Sequence, residues 1–206
     1  MRKVLLLALT VVSASAFSQT AFWTGDTTGD PTWRRPASFT TLGSATTANA
    51  IPYEVQPFWV TVSGEYVFEL DARTASGFTH TDPYILVYTG AFDPNNPLVN
   101  LKAGDDDFSS AFTLFSGTGG GLNASRIALG DASNYGGATT GLNLTANTQY
   151  YAVVTGFDNA DFGTYGGAIG GGQGSVNLGV VPEPATMAAL GIGVAALLRR
   201  RRSKKA

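Results

Sequence analysis

The sequence predicts an all-β fold, a β-sandwich or jelly roll, flanked by an N-terminal signal peptide and a short C-terminal hydrophobic helix. The chain is rich in turn-forming and β-compatible small residues, with 26 glycines among 206 residues. No window of about 12 residues in the body shows the apolar period of about 3.6 that a helix requires. Apolar and polar residues alternate instead over short stretches separated by turn residues. This pattern is typical of strands in two packed sheets.

The first predicted strands lie on either side of a turn at Ser63-Gly64. Their alternating apolar residues are Phe58, Val60 and Val62, then Tyr66, Phe68 and Leu70. A continuous apolar run at 84–88 is typical of a central strand covered on both faces. Further strands are predicted at 112–115, 126–129, 141–144, 149–156 and 175–178. The glycine-rich stretch 163–174 is predicted to be a flexible loop.

The N-terminal residues 1–16 have the three parts of a secretory signal peptide. Arg2 and Lys3 form a positive start, residues 4–12 are apolar, and Ala14-Ser15-Ala16 is a small-residue cleavage site. Cleavage as late as residue 21 is also compatible with the sequence. The apolar region is too short for a retained membrane anchor. We therefore expect export, with residues 22–180 as the folded body.

The C-terminal residues 181–206 combine a short polar motif, an apolar segment and a cationic end. The motif is Pro182-Glu183-Pro184, and the apolar segment runs from 185 to 198 without a charge. As a helix, this segment would span about 21 Å, less than the roughly 30 Å of a hydrocarbon core. The segment is followed by Arg199, Arg200, Arg201 and Arg202. These cations are expected to hold that end on the cytoplasmic side.

This arrangement resembles the PEP-CTERM protein-sorting signal of Gram-negative bacteria. In that family the motif is recognised by an exosortase, a membrane-embedded processing enzyme, and the hydrophobic tail is removed. The resemblance implies transient attachment to the inner membrane, followed by release to the cell surface or the extracellular matrix. It also implies a setting in which exopolysaccharide is made. It carries no implication about the activity of the body.

The composition of residues 22–180 limits the partners of the body. Five basic residues stand against fourteen acidic ones, which gives a net charge of −9. Such a charge disfavours nucleic acid and anionic lipid as partners and favours solubility or cation binding. The chain has no cysteine, so stability must come from burial, strand pairing or metal binding rather than from disulfides.

Four stretches of the body resemble, in order, the bacterial pre-peptidase C-terminal domains. They are residues 64–68 (GEYVF), 82–88 (DPYILVY), 104–107 (GDDD) and 144–154 (LTANTQYYAVV). Members of that family are small jelly-roll sandwiches attached to secreted enzymes and surface proteins, where they serve as accessory or binding modules. The resemblance covers about residues 55–180 and implies a binding module here.

The strongest candidate for a ligand site is the acidic run Asp105-Asp106-Asp107. Clustered carboxylates suit calcium, and we assign Asp105, Asp107 and Asp82 as candidate calcium ligands, with help from Asp158 or Asp161. Consecutive residues on an extended chain point to opposite faces, so at most two of the three would share an ion. A solvated acidic turn, with aspartates bonded to local backbone donors, is the alternative.

No catalytic motif is found, and we expect a protein that is not an enzyme. His80 is the single histidine, which excludes zinc sites that need two. Glu65 and Glu69 on one strand would lie about 13 Å apart, too far for either glycosidase mechanism, and are expected to form a solvated face. A secreted carbohydrate-active or other hydrolase with an unrecognised site is the alternative.

Aromatic residues near the N-terminus have two interpretations. Phe22, Trp23, Trp33 and Phe39 lie in a threonine-rich segment, where they either stack on sugar rings or cover one end of the sandwich. Taken together, the sequence predicts an exported, non-enzymatic surface or matrix protein. Its expected partners are an exosortase and extracellular polysaccharide, and a purely structural coat protein that associates through edge strands is a further alternative.

Overall fold

The computed structural model describes residues 19–130 and 141–183. The predicted signal peptide, the predicted hydrophobic helix at 185–198, Pro184 and the four arginines at 199–202 lie outside the described residues. Within the described part, no helix reaches the length and apolar character that crossing a membrane requires. The structure there consists of strands and loops, apart from a short 3-10 turn at Thr74–Ser76.

The strands form two antiparallel sheets, as the alternation predicts. The strands are β1 (Ala21–Asp26), β2 (Thr32–Trp33), β3 (Ile51–Val60), β4 (Gly64–Asp71), β5 (Pro83–Thr89), β6 (Leu101–Asp105), β7 (Ala124–Ile127), β8 (Leu142–Leu144), β9 (Tyr150–Gly156), β10 (Thr164–Gly170) and β11 (Val176–Leu178). One sheet has the order β1-β10-β4-β7, and β8 also pairs with β4. The other has the order β11-β3-β9-β5-β6, and β2 also pairs with β3.

The main core lies between the sheets. The six-stranded sheet contributes Phe58, Val60, Ile85, Val87, Ala152 and Val154, and the five-stranded sheet contributes Tyr66, Phe68, Leu70, Ile127, Tyr165 and Ile169. The predicted faces of β3 and β4 are therefore confirmed, except that Val62 lies beyond the end of β3. Burial of these side chains supplies the main driving force for folding.

A second apolar cluster covers the outer face of the six-stranded sheet. Strand β5 is buried on both faces, as the run at 84–88 predicts, because Tyr84, Leu86 and Tyr88 point away from the main core. The residues before β3 cover them, with Trp33 only 4% exposed. The Trp33 indole Nε1 donates to Thr155 Oγ1 at 3.0 Å. Trp33 therefore covers a sheet face. It is not accessible for stacking on sugar rings, and it does not cover an end of the sandwich.

The glycine-rich stretch 163–174 contains a buried strand, so the prediction of a flexible loop is wrong. Its first half is β10, which lies between β1 and β4. Trp23 on β1 is paired with Gly167, and its indole ring lies against the Gly167 backbone where a Cβ atom would stand. Glycine is used here because a large aromatic side chain occupies the space above the strand.

The stretch 112–115, predicted as a strand, instead belongs to an irregular excursion between β6 and β7. The excursion, residues 106–123, carries its own small cluster of Phe108, Phe112 and Phe115. It lies against β4 because Glu69 accepts hydrogen bonds from Thr113 N, Thr113 Oγ1, Leu114 N and Phe115 N at 2.6–3.0 Å. The Glu69 carboxylate on β4 thus accepts the backbone hydrogen bonds that a neighbouring strand would otherwise accept.

The solvated face predicted for Glu65 and Glu69 is wrong for one of the pair. Glu65 is exposed, whereas Glu69 is fully buried, and Arg126 Nε lies 3.4 Å from its Oε1. Next along β4, Asp71 forms an ion pair of 2.8 Å with Arg73, whose guanidinium also donates to the carbonyls of Ser116 and Thr118. Both acidic residues of this face therefore hold the excursion.

The two ends of the body are fixed to the sheets. Val176 N donates to Gln19 O at 3.2 Å, and β1 starts at Ala21. Cleavage after Ala16 would leave these pairings intact, whereas cleavage before Phe22 would remove Gln19 and Ala21 and leave the other pairs of β1. At the other end, Val181 N donates to Gln149 Oε1 at 2.8 Å. The described contacts with the sheets therefore extend to Val181.

Candidate functional site

The candidate site is a cluster of three carboxylates at one end of the six-stranded sheet. Asp82 directly precedes β5, and Asp106 and Asp107 directly follow β6. Because β5 and β6 are antiparallel neighbours, with Ile85 opposite Asp105, the start of one strand lies beside the end of the other. Asp82, Asp106 and Asp107 each offer a carboxylate oxygen, and these atoms lie within 4.8 Å of one another.

The cluster differs from the predicted set in one member. Asp82 and Asp107 are brought together as proposed, but the third carboxylate belongs to Asp106, not to Asp105. Asp105 is the last residue of β6, and its Oδ2 accepts a hydrogen bond from Arg126 N at 3.0 Å on the neighbouring β7. The strand ends at Asp105, so the alternation that separates neighbouring side chains no longer applies to Asp106 and Asp107.

The carboxylates of the cluster are partly buried and repel one another when they are ionised. Asp106 is 7% exposed and Asp82 is half-buried, whereas Asp107 is exposed. Burial raises the pKa of Asp82 to about 7, and repulsion from Asp106, Asp161 and Asp107 adds to the shift while Arg35 opposes it. Burial, followed by repulsion from Asp107, raises the pKa of Asp106 to about 7. The ionised cluster therefore destabilises the fold until a cation or protons compensate it.

The surrounding loops are tied to the cluster by specific bonds. Thr81 Oγ1 donates to Asp161 Oδ1 at 2.8 Å, and Asp161 Oδ2 accepts from Asp158 N at 2.8 Å. Phe157 N donates to the Asp82 carbonyl at 2.9 Å. Asp161 therefore organises the loop at 157–163 and adds negative charge beside the cluster. The sequence analysis proposed Asp158 or Asp161 as an additional calcium ligand, but it did not predict that they stabilise this loop.

A cleft of about 450 Å³ adjoins the cluster and shares Asp106 with it. The N-terminal segment 35–48 forms one wall, and Phe157 and Asp158 contribute to the other. Arg35, only 3% exposed, lies between them, with its guanidinium carbon 4.0 Å from the Tyr84 ring centroid and 4.8 Å from that of Phe157. This cleft was not predicted from the sequence, because no recognisable motif surrounds Arg35.

His80 is buried near the cluster and takes no part in it. The side chain is 1% exposed, and neither ring nitrogen has a hydrogen-bond partner among the described residues. Burial lowers the pKa of His80 from 6.5 to about 4, so the ring is neutral at physiological pH. A ring without an orienting partner or access to solvent does not fit the role of a general base.

Burial of His80 predicts a dependence of stability on pH. Between pH 6.5 and 4, His80 becomes protonated in the unfolded chain but stays neutral in the folded protein. The free energy of unfolding therefore decreases as the pH falls from 6.5 to 4. The free energy of unfolding of the wild type, taken relative to that of His80→Phe, should decrease by about 3 kcal/mol between pH 6.5 and 4. Asp82 and Asp106 change the free energy of unfolding with pH in the opposite direction. Because both proteins contain them, their contributions cancel when the two proteins are compared. Urea denaturation at several pH values measures it, and a pH-independent difference would contradict the assignment.

The remaining aromatic residues of the N-terminal segment have different environments. Trp23 is partly buried against the main core, and its ring centroid lies 5.5 Å from that of Phe68. Phe22 and Phe39 are 53% and 39% exposed. Phe22 contacts Phe115 at 5.6 Å, which joins the edge strand β1 to the excursion at 106–123. The two tryptophans are therefore structural, and neither of them is presented for sugar stacking.

Comparison with known proteins identifies the C-terminal segment. Residues 180–202 match the family of the PEP-CTERM protein-sorting motif. No curated protein matches the chain. The motif supports an exported protein that is sorted to the cell surface through the pathway of an exosortase, the membrane-associated enzyme that recognises this motif. Of the motif itself, the structure describes Pro182 and Glu183, which are both exposed directly after the body.

Proposed function

We propose that this exported protein is a non-enzymatic binding module of the cell surface or extracellular matrix, that it associates with exopolysaccharide, and that its body binds calcium through Asp82, Asp106 and Asp107. In this proposal the C-terminal signal attaches the chain transiently to the inner membrane, and the hydrophobic tail is removed on delivery. The single observation that carries the calcium assignment is the convergence of the three carboxylates.

The spacing of the carboxylates fits one calcium ion. Calcium binds six to eight oxygens at about 2.3–2.6 Å, so two ligands on opposite sides of an ion are about 5 Å apart. The three carboxylate oxygens lie within 4.8 Å of one another, so a single ion can reach all of them. Because Asp107 is exposed, water or a ligand can complete the coordination shell.

The charge of the site also favours a divalent cation. Burial, with repulsion from neighbouring aspartates added to it, raises the pKa values of two of the three carboxylates to about 7. A divalent cation removes this repulsion without the need for protonation. The remaining oxygen-rich surroundings, Asp158 and Asp161, contain no soft ligand, and hard oxygen donors suit calcium rather than zinc.

A binding role is supported by the placement of the residues that a hydrolase would have needed. His80 is buried without a hydrogen-bond partner among the described residues, and Glu69 is fully occupied in holding the excursion. Glu65 and Glu69 differ completely in exposure, which does not fit a pair of carboxylates that flank one substrate.

Calcium should raise the melting temperature of the mature protein, and a chelator should lower it. At a free concentration about 100 times the dissociation constant, one ion stabilises the folded state by about 2.7 kcal/mol. Asp107→Asn should remove most of this stabilisation. In chelator at pH 8 the same variant should melt above the wild type, because it relieves repulsion on Asp82 and Asp106. Differential scanning calorimetry with calcium and with chelator tests both parts.

Glu65→Gln is the matched control for this experiment. It removes one negative charge from an exposed position on the other sheet and should keep the full calcium response. An equal calcium shift in the wild type and in Asp107→Asn would refute the assignment, as would a wild type that shows no shift.

A further inference from the structure

The cleft beside the cluster has the features of a preformed small-molecule site. Its volume of about 450 Å³ lies within the roughly 300–1,000 Å³ typical of such sites. Its lining includes Ser44, Thr47, Asp106, Asp158 and Phe157. Phe157 is 40% exposed, with Arg35 over one face of its ring.

The walls of the cleft are held by a network centred on Asn159. Its Oδ1 accepts hydrogen bonds from Asn49 N at 3.0 Å and from Ala50 N at 2.9 Å. Its backbone N donates to Thr47 O, and its Nδ2 donates to Thr46 O at 3.3 Å. The turn at 44–50 is thereby fixed to the loop that carries Phe157 and Asp158. A site formed before binding loses less entropy when a ligand arrives.

The floor of the cleft is fixed by Arg35. Its Nε donates to the Phe157 carbonyl at 3.0 Å, and its Nη1 donates to the Pro36 carbonyl at 2.9 Å. The guanidinium is stacked on Phe157, so it holds the angle of this ring within the cleft. Arg35 thus orients one aromatic wall while its charge partly balances the two carboxylates of the lining.

The charge of the lining selects the class of ligand. One arginine stands against Asp106 and Asp158, so the cleft without calcium is net negative and disfavours an anionic group. An exposed aromatic ring provides a surface for the apolar face of a sugar ring. Carboxylates accept hydrogen bonds from sugar hydroxyls, and serine and threonine hydroxyls both donate and accept. These groups together fit a neutral, polyhydroxylated ring.

We propose that this cleft binds a neutral hexose unit of an extracellular polysaccharide, with its ring against Phe157 and its hydroxyls directed to Thr47 and Asp158. This inference rests on the proposed function, because it names the ligand class of the binding module. The sugar lies beside the calcium cluster, and Asp106 contributes to both sites. In the absence of calcium, a uronic acid unit is excluded from the cleft by the same two aspartates.

The test is isothermal titration of the mature protein in chelator with neutral hexose oligosaccharides of glucose, galactose and mannose, and with an oligouronate. We expect at least one neutral oligosaccharide to bind at one site and the oligouronate not to bind. Phe157→Leu keeps an apolar side chain but removes the ring, and should weaken binding about tenfold. Thr47→Val removes one hydroxyl at constant size and should weaken it several-fold.

Phe162→Leu is the matched control, because Phe162 is 42% exposed on the same loop and does not line the cleft. It should bind sugar as the wild type does. Binding of the oligouronate alone, no binding of any neutral oligosaccharide, or wild-type affinity in both cleft variants would overturn the inference. The calcium melting shift, measured on the same protein, separates the two sites: a retained shift without sugar binding refutes the cleft and leaves the calcium assignment, and sugar binding without a shift refutes the calcium assignment and leaves the cleft. Binding of the oligouronate alone refutes the cleft and leaves association with polysaccharide.

Discussion

Replacing Glu69 with alanine is expected to lower the free energy of unfolding by about 4 kcal/mol. The carboxylate is fully buried and accepts three backbone hydrogen bonds from residues 113–115 and one from the Thr113 hydroxyl. Alanine leaves these donors without their acceptor and removes the ion pair with Arg126. These donors are only part-buried, so they retain part of the desolvation penalty, and loss of the ion pair with the largely buried Arg126 adds to it. For a domain with a stability of about 5–15 kcal/mol, this loss is large.

Glu65→Ala is the control for this experiment, because Glu65 is an exposed glutamate on the same strand. Its effect should stay within about 0.5 kcal/mol. Urea denaturation followed by tryptophan fluorescence gives both values. Similar losses for the two variants would show that Glu69 does not hold the excursion at 106–123.

Replacing Gly167 with valine should destabilise the protein by about 3 kcal/mol. A Cβ atom at this position would overlap the indole ring of Trp23, which is paired with Gly167 across β1 and β10. The ring would have to leave its place against Phe68, and the edge strand β1 would shift with it. Denaturation by urea again provides the measurement.

Two further variants isolate the cause of this loss. Gly64 also lies in a strand, but a Cβ atom there meets nothing within 4 Å, so Gly64→Val should be close to neutral. In a Trp23→Ala background the cost of Gly167→Val should fall below about 1 kcal/mol. If the cost is the same with and without Trp23, overlap with the indole is not the reason that glycine occupies position 167.

The success and failure of the sequence prediction have the same physical origin. Alternation identified β3, β4 and β5 because their apolar side chains face a core that is continuous across two sheets. It failed for β10, since glycine carries no side chain with which to show a period, and the burial of that strand comes from Trp23 and Phe78. It also failed for residues 112–115, whose aromatic side chains form a local cluster and not a sheet face.

The candidate site was predictable only in part. The composition and the acidic run pointed to Asp82 and Asp107, but the choice between Asp105 and Asp106 depends on the residue at which β6 ends. That boundary is set by pairing with Ile85 on β5, which is a long-range contact. The cleft was not predictable, because Arg35 bonds to Phe157 and Asn159 bonds to Thr47, and these partners are far apart in sequence.

The described chain leaves the sandwich away from the acidic cluster. Gly179 N is bonded to the Pro57 carbonyl, and Pro57 pairs with Tyr151, which lies five residues along β9 from Gly156, the partner of Pro83. This exit point and the acidic cluster are thus about 17 Å apart along the strands. Recognition of the exposed Pro182 and Glu183 by the sorting enzyme would therefore leave the cluster and the cleft accessible to the proposed ligands.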